Sequence, residues 1–310
     1  MLGLMRGLRI LPNHKGLRFS SNNALATKSL AKLLVFPVTH DKYFYYFKWN
    51  EKALLNNNSV IVKYENKAVE LATKGWNKLR DSDKSYNRKI VEWVTKFLEQ
   101  TSWTEDSLRT IPWKQSLLRQ VRRENSENTG TIILSSDQIS ETEKLVNIPV
   151  YYPSSIIESP STLTSNLTQL AQTGEKTHKR YTILCAIGVP LSLPFVIVPV
   201  VPNIPGFYLS YRFYCNLKAM MGSQHLLDMN EKAELSIEKD TLLDQIYGDL
   251  KVGEDKILLN EGIIDKIVET YDIPNARSSL IKALRQERKL LEKETENDSK
   301  KETKETEKEK

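Results

Sequence analysis

The sequence predicts a mainly α fold: helical soluble regions flanking one proline-rich transmembrane or re-entrant segment, with a few short strands. Three observations predict it. Apolar residues recur every three or four positions through much of residues 60–98 and 231–293, the period of a helix. Strand formers cluster only in brief runs, near residues 33–49 and 131–153. No residue from Tyr181 to Tyr211 carries a formal charge, in a 310-residue chain that is otherwise 27% charged.

Residues 1–32 contain six basic side chains and no acidic one, with Leu4, Met5, Leu8 and Leu11 at helical spacing and serine and threonine following. That is the composition of a mitochondrial transit peptide, with cleavage expected near residues 19–20. A secretory signal needs an unbroken apolar core, which Arg6 and Arg9 interrupt. The formal net charge is +6, but Arg6, Arg9, Lys15 and Arg18 precede the expected cleavage, and without them 41 cations face 39 carboxylates. A nucleic-acid partner is therefore not expected.

Residues 33–49, LLVFPVTHDKYFYYFKW, form an extended or hairpin element and open a helical hairpin domain expected over 33–121. The first helix of that domain runs from Val60 to Arg80, with Ile61, Tyr64, Ala68, Ala72, Trp76 and Leu79 as an inward stripe. Asp81-Ser82-Asp83 breaks it. A second helix follows, with Tyr86, Ile90, Val94, Phe97 and Leu98 inward. Residues 122–162 are a polar linker with two brief strands, TIILS and IPVYYP.

Residues 163–180 are a helix leading to a membrane segment at 181–203, whose core from Thr182 to Val201 is 20 residues long. At roughly 1.5 Å per residue it spans about 30 Å, the thickness of a bilayer's hydrocarbon. Pro190, Pro194 and Pro199 lie within the run, and Pro202 and Pro205 follow. Each interior proline frees a carbonyl that must find a partner within the protein or a wet cavity. The segment is thus a kinked anchor or a broken helix of the kind that carries ion sites. Candidate functional groups there are Thr182, Ser192, the carbonyls freed by the prolines, and Asn203. His178, Lys179 and Arg180 before it, and Tyr208, Tyr211, Arg212 and Lys218 after it, have the composition of membrane borders. Residues 204–228 are accordingly expected as an interfacial aromatic helix, 229–292 as a C-terminal helical region, and 293–310 as a disordered charged tail.

Two cysteines, Cys185 and Cys215, allow no disulfide framework, and His14, His40, His178 and His225 are too scattered for a zinc site. No nucleotide loop, nucleophile elbow or metal motif is present, so neither an enzyme nor a cofactor is expected.

LLVFPVTHDKYFYY, KAVELATKGWNKL, RKIVEWVTKFL and SLRTIP, with VYYPSSI and PLSLPFVIVPVVPNIPGFYLSYR, resemble the fungal mitochondrial K+/H+ exchange-related family. The likeness runs through most of residues 33–228. It implies an inner mitochondrial membrane protein required for potassium/proton exchange, with K+ and H+ as the ions concerned. The residues qualify that role. A carrier places an ionisable group within the membrane, and the segment 181–211 offers no carboxylate. A subunit or regulator is therefore expected, partnered by the lipid bilayer and by further copies or other inner-membrane proteins. The alternative is a structural or assembly factor docking inner-membrane complexes.

Overall fold

The computed structural model describes residues 29–81, 85–125, 128–140, 143–194, 204–248 and 256–308. Residues 1–28 of the expected 1–32 transit peptide, including its cleavage site, and Pro199, Pro202 and Asn203, lie outside these residues, whereas Ala31 and Lys32 belong to the first strand. The apolar run after Ser29 folds as strands β1 (Ala31–Pro37) and β2 (Tyr43–Trp49), an antiparallel hairpin whose turn is closed by Val38 and Thr39 amides on the Lys42 carbonyl at 2.9 and 3.1 Å.

Helices α1 (Glu51–Leu54), α2 (Val60–Arg80), α3 (Ser85–Glu99) and α4 (Trp103–Arg109) follow. Strands β3 (Arg119–Asn125), β4 (Asn128–Leu134) and β5 (Lys144–Leu145) make a small antiparallel sheet in the order β4-β3-β5. Next come β6 (Ile148–Tyr152), α5 (Pro160–Leu191), α6 (Ile204–Glu231) and β7 (Leu235–Lys239). Helices α7 (Thr241–Tyr247), α8 (Glu261–Tyr271) and α9 (Arg277–Lys308) complete the order.

The main sheet has the order β2-β1-β6-β7, with β6 parallel to both β1 and β7. It is buried on both faces. Leu33, Val35, Tyr45, Phe47, Val150 and Tyr152 meet α4, α5 and α6, whereas Leu34, Phe36 and Phe44 meet α7, α8 and α9. Successive side chains point to opposite faces, so a strand covered on both sides needs an unbroken apolar run, and LLVF is one.

The caps are local. Ser159 accepts from Ser161 N with Pro160 at the first helical position of α5, and Asp240 and Asn260 cap α7 and α8.

Two expectations are corrected. The fold is mixed α/β, 63% helical but organised by a mixed sheet, and not a mainly α array with peripheral strands. Within residues 229–292, expected as a C-terminal helical region, Leu235–Lys239 forms β7, the edge strand of that same sheet.

The second correction concerns the membrane segment. Among the described residues no helix is long and apolar enough to cross a membrane. The reason lies in how the apolar run is divided. Helix α5 begins at Pro160 and is polar on much of its surface until Tyr181; it ends at Leu191, where Ser192 closes it through bonds to the Gly188 and Val189 carbonyls. Only its last three turns belong to the run. The next helix among the described residues, α6, begins at Ile204, and residues 195–203 of the run lie outside the described residues.

Candidate functional site

Helices α5 and α6 pair antiparallel along a seam of small and polar residues. On α5 the buried positions are Leu163, Leu167, Ala171, Gly174, His178, Thr182 and Cys185, recurring every three or four residues. Of these, Leu163, Leu167 and Ala171 share one core with Ala219, Leu226 and Met229 of α6, and Gly174 lies against Ser223. Polar atoms within the seam are satisfied locally. His178 Nδ1 and Asn216 Oδ1 are 2.9 Å apart, Asn216 Nδ2 donates to the Arg212 carbonyl at 2.8 Å, and Thr182 Oγ1 to the His178 carbonyl at 2.7 Å.

Beyond this seam the hairpin end is bare. Tyr181, Ile183, Leu184, Ile187, Leu191 and Leu193 are exposed, with Leu191 at 70% and Phe207 on α6 at 72%. On α5 Tyr181, Ile183, Leu184, Ile187 and Leu191 span about 160° of the helix circumference, opposite the buried Thr182 and Cys185, and Pro190, Pro194 and Pro205 are exposed with them. Just below lie Lys176, Lys179 and Arg180, all exposed. The end is thus an uncharged apolar knob above a basic collar.

At the root of the hairpin is a buried ion-pair network. Arg212 on α6 grips Glu105 on α4 through two hydrogen bonds of 2.6 and 2.7 Å, with side-chain exposures of 13% and 3%. Its neighbour Asp106 accepts from Arg109 at 3.3 Å and from Lys282 on α9 at 2.9 Å. Glu65 on α2 accepts from the Tyr214 hydroxyl at 2.8 Å and from Lys218 at 3.2 Å. Helix α6 is thereby tied to α2 and α4, and through Asp106 to α9.

The electrostatics follow from burial and pairing. Burial pushes the Glu105 carboxyl upward, but the hydrogen bonds and charge of Arg212, aided by Arg109, outweigh it and hold the group below its ordinary value. Burial and then the Glu65 charge raise the Tyr214 hydroxyl, and burial raises the Cys215 thiol, which stays a protonated apolar side chain. His225 is pushed down to about 4, chiefly by burial, while its Nδ1 sits 2.7 Å from the Pro112 carbonyl. A carbonyl oxygen can only accept, so Nδ1 carries the proton and the ring is neutral. Among the described residues no group of three or more His, Cys, Asp and Glu side chains is placed to hold a metal ion.

The residues singled out in the sequence therefore part company. Thr182 and Ser192 are buried in local hydrogen bonds, Ser192 Oγ donating to the Val189 carbonyl at 2.6 Å. Lys179 and Arg180 face outward at the collar. His178, Arg212 and Lys218, expected at a membrane border, turn inward to protein partners, as does Tyr211; Tyr208 packs on Phe97 of α3 with ring centroids 5.8 Å apart. Glu65, Glu105, Asp106 and Lys282 escaped sequence reasoning. Glu105 and Asp106 look like ordinary first-turn acids behind the Ser102 cap, and the partners of Arg212 and Lys218 lie 107 and 153 residues away.

A family described as mitochondrial K+-H+ exchange-related matches residues 32–230. An uncharacterised protein of Saccharomyces cerevisiae is 35% identical over 277 residues, covering 84% of this chain and 86% of its own length. Another, of Schizosaccharomyces pombe, is 28% identical over 185 residues, or 59% of this chain and 70% of its own. No solved structure matches the chain.

Proposed function

The chain belongs to the mitochondrial K+-H+ exchange-related family, and from that premise we propose that it serves the exchange at the inner mitochondrial membrane as a subunit or regulator. It is not an enzyme and not a lone carrier, and it works with further copies or other inner-membrane proteins. The observation that carries the reading is the α5/α6 hairpin end, an apolar knob above Lys176, Lys179 and Arg180. An uncharged apolar arc of about 160° on α5, joined by the exposed Phe207 of the paired helix, suits lipid better than a protein groove, which covers a narrower face. The helical part of the knob among the described residues, Tyr181 to Leu191, is about 16 Å long at 1.5 Å per residue, roughly half the hydrocarbon thickness. It suits attachment from one side of the bilayer without crossing it.

The buried network supports a regulator over a carrier. A transported proton needs a group that gains and loses it near working pH. Glu105 is held ionised by Arg212, and Glu65 and Asp106 are each engaged by lysine or arginine.

Swelling in potassium acetate is the test. Acetic acid carries protons across the membrane, so K+ exchanged for H+ accumulates salt and water. Mitochondria lacking the protein should swell slowly, and an added K+/H+ ionophore should restore the rate. Unchanged swelling overturns the role. Potassium-driven proton flux from the purified chain in liposomes would replace the regulator with a carrier.

A further inference from the structure

The α2/α3 hairpin has a surface that the α5/α6 end does not account for. Its root is anchored by buried Val62 and Leu98 and by Glu65 held between Tyr214 and Lys218. Beyond the root the large apolar side chains are bare: Tyr64 is 72% exposed, Trp93 69%, and Val60, Leu71 and Phe97 are exposed with them. On α2, Val60, Tyr64 and Leu71 share one face at about 100° per residue. Lys63, Lys67, Lys74 and Lys78 lie in the same arc of about 100°, which holds no carboxylate. Glu70 sits at its border, paired with Lys74 at 2.7 Å. On α3, Lys89 and Lys96 flank Trp93 and are exposed.

We propose that the α2/α3 hairpin is an interfacial arm that binds the headgroups of an anionic phospholipid surface, with Tyr64, Leu71 and Trp93 entering the interface and Lys63, Lys67 and Lys78 meeting the phosphates. Lysines interleave with the apolar side chains turn by turn. A protein interface excludes lysine from its apolar centre, whereas an amphipathic helix on anionic lipid mixes aromatic anchors with lysines. The arm is also continuous with the proposed membrane-facing end, because Phe97 packs on Tyr208 beside the exposed Phe207. The arm deepens the functional reading by naming the lipid class, and rests on it in placing the chain at a membrane.

Vesicle flotation of the full chain tests it, comparing phosphatidylcholine with an equimolar mixture of phosphatidylcholine and phosphatidylglycerol. The wild type should prefer the anionic vesicles and lose that preference in high salt. The triple variant Lys63→Gln, Lys67→Gln, Lys78→Gln should bind them roughly a hundredfold more weakly, at about fivefold per lysine. Trp93→Ala should weaken binding without this salt dependence. All four side chains are exposed, so circular dichroism and thermal midpoints should match the wild type. Equal binding by wild type and triple variant, or no preference for anionic vesicles, overturns the arm and leaves the exchange role standing. Vesicle binding that depends on these lysines, in a protein whose deletion leaves potassium-acetate swelling unchanged, supports the arm and overturns the exchange role. If the triple variant sheds an acidic protein partner while vesicle binding holds, protein replaces lipid and the arm is overturned.

Discussion

The Arg212 guanidinium and the Glu105 carboxylate face each other through two parallel hydrogen bonds, 2.6 and 2.7 Å long, at the root of the α5/α6 hairpin. The pair is nearly out of water, so removing one partner strands the other's charge. Arg212→Ala should lower stability by about 3–5 kcal/mol in urea unfolding, and the double variant Glu105→Leu, Arg212→Met by less than either charge-stranding single variant. Because Glu105 is held below its ordinary 4.5, its contribution is present above that pH and is lost as pH falls through the folded value.

Two glycines set how closely α4 lies on the hairpin. A Cβ on Gly222 would strike the backbone carbonyl of Leu108, with the Ile111 carbonyl 3.2 Å away. One on Gly174 would meet the Leu108 side chain and Ser223 Oγ, which can turn aside. Gly222→Ala should cost about 2–3 kcal/mol of unfolding free energy, and Gly174→Ala no more than about 1, its crowding being offset by alanine's helix propensity.

His225 should give the fold an acid-sensitive window. Its pKa falls from 6.5 to about 4 on folding, so the unfolded chain binds the proton more tightly. Stability should therefore decline as pH drops from 6.5 to about 4 and level off below, a loss of about 3 kcal/mol from this group. His225→Phe should flatten that part of a stability-versus-pH curve, while costing about 1 kcal/mol at neutral pH for the Pro112 carbonyl left without its donor.

The bare hairpin end should tolerate charge in folding but not in function. Leu184 and Ile187 are about half exposed, so Leu184→Glu with Ile187→Glu should shift stability by less than about 1 kcal/mol. The same variant should release the protein from mitochondrial membranes and slow potassium-acetate swelling. Normal swelling with the charged end would show that the apolar knob is not where the protein attaches.

Local pattern located most elements but not their partners. LLVF and YFYYF announce strands, yet the parallel pairing of Leu33 with Val150 and of Ile148 with Leu235 depends on segments far apart in sequence. The helices at 60–80 and 85–99 stand where apolar periodicity puts them, but the first presents a different face from the one the stripe suggests. Tyr64, Ala68 and Ala72 face out, while Glu65 is buried because Tyr214 and Lys218 receive it. The charge-free run misled for a related reason. Thr182 and Cys185 look like lipid-facing residues until α6 covers them, and Arg212 looks like an interfacial cation until Glu105 is in place.

The main sheet does not end where the family match ends. Residues 32–230 hold β1, β2 and β6, but the second strand beside β6 and, apart from Trp103 of α4 stacked on Phe44, the helical cover of Leu34, Phe36 and Phe44 come later in the chain. A fragment stopped at residue 230 would open most of one side of the sandwich to water. Deletion mapping from the C-terminus would then score insolubility as a loss of ion movement, and point substitutions on the outer surface are the safer instrument for locating where exchange is controlled.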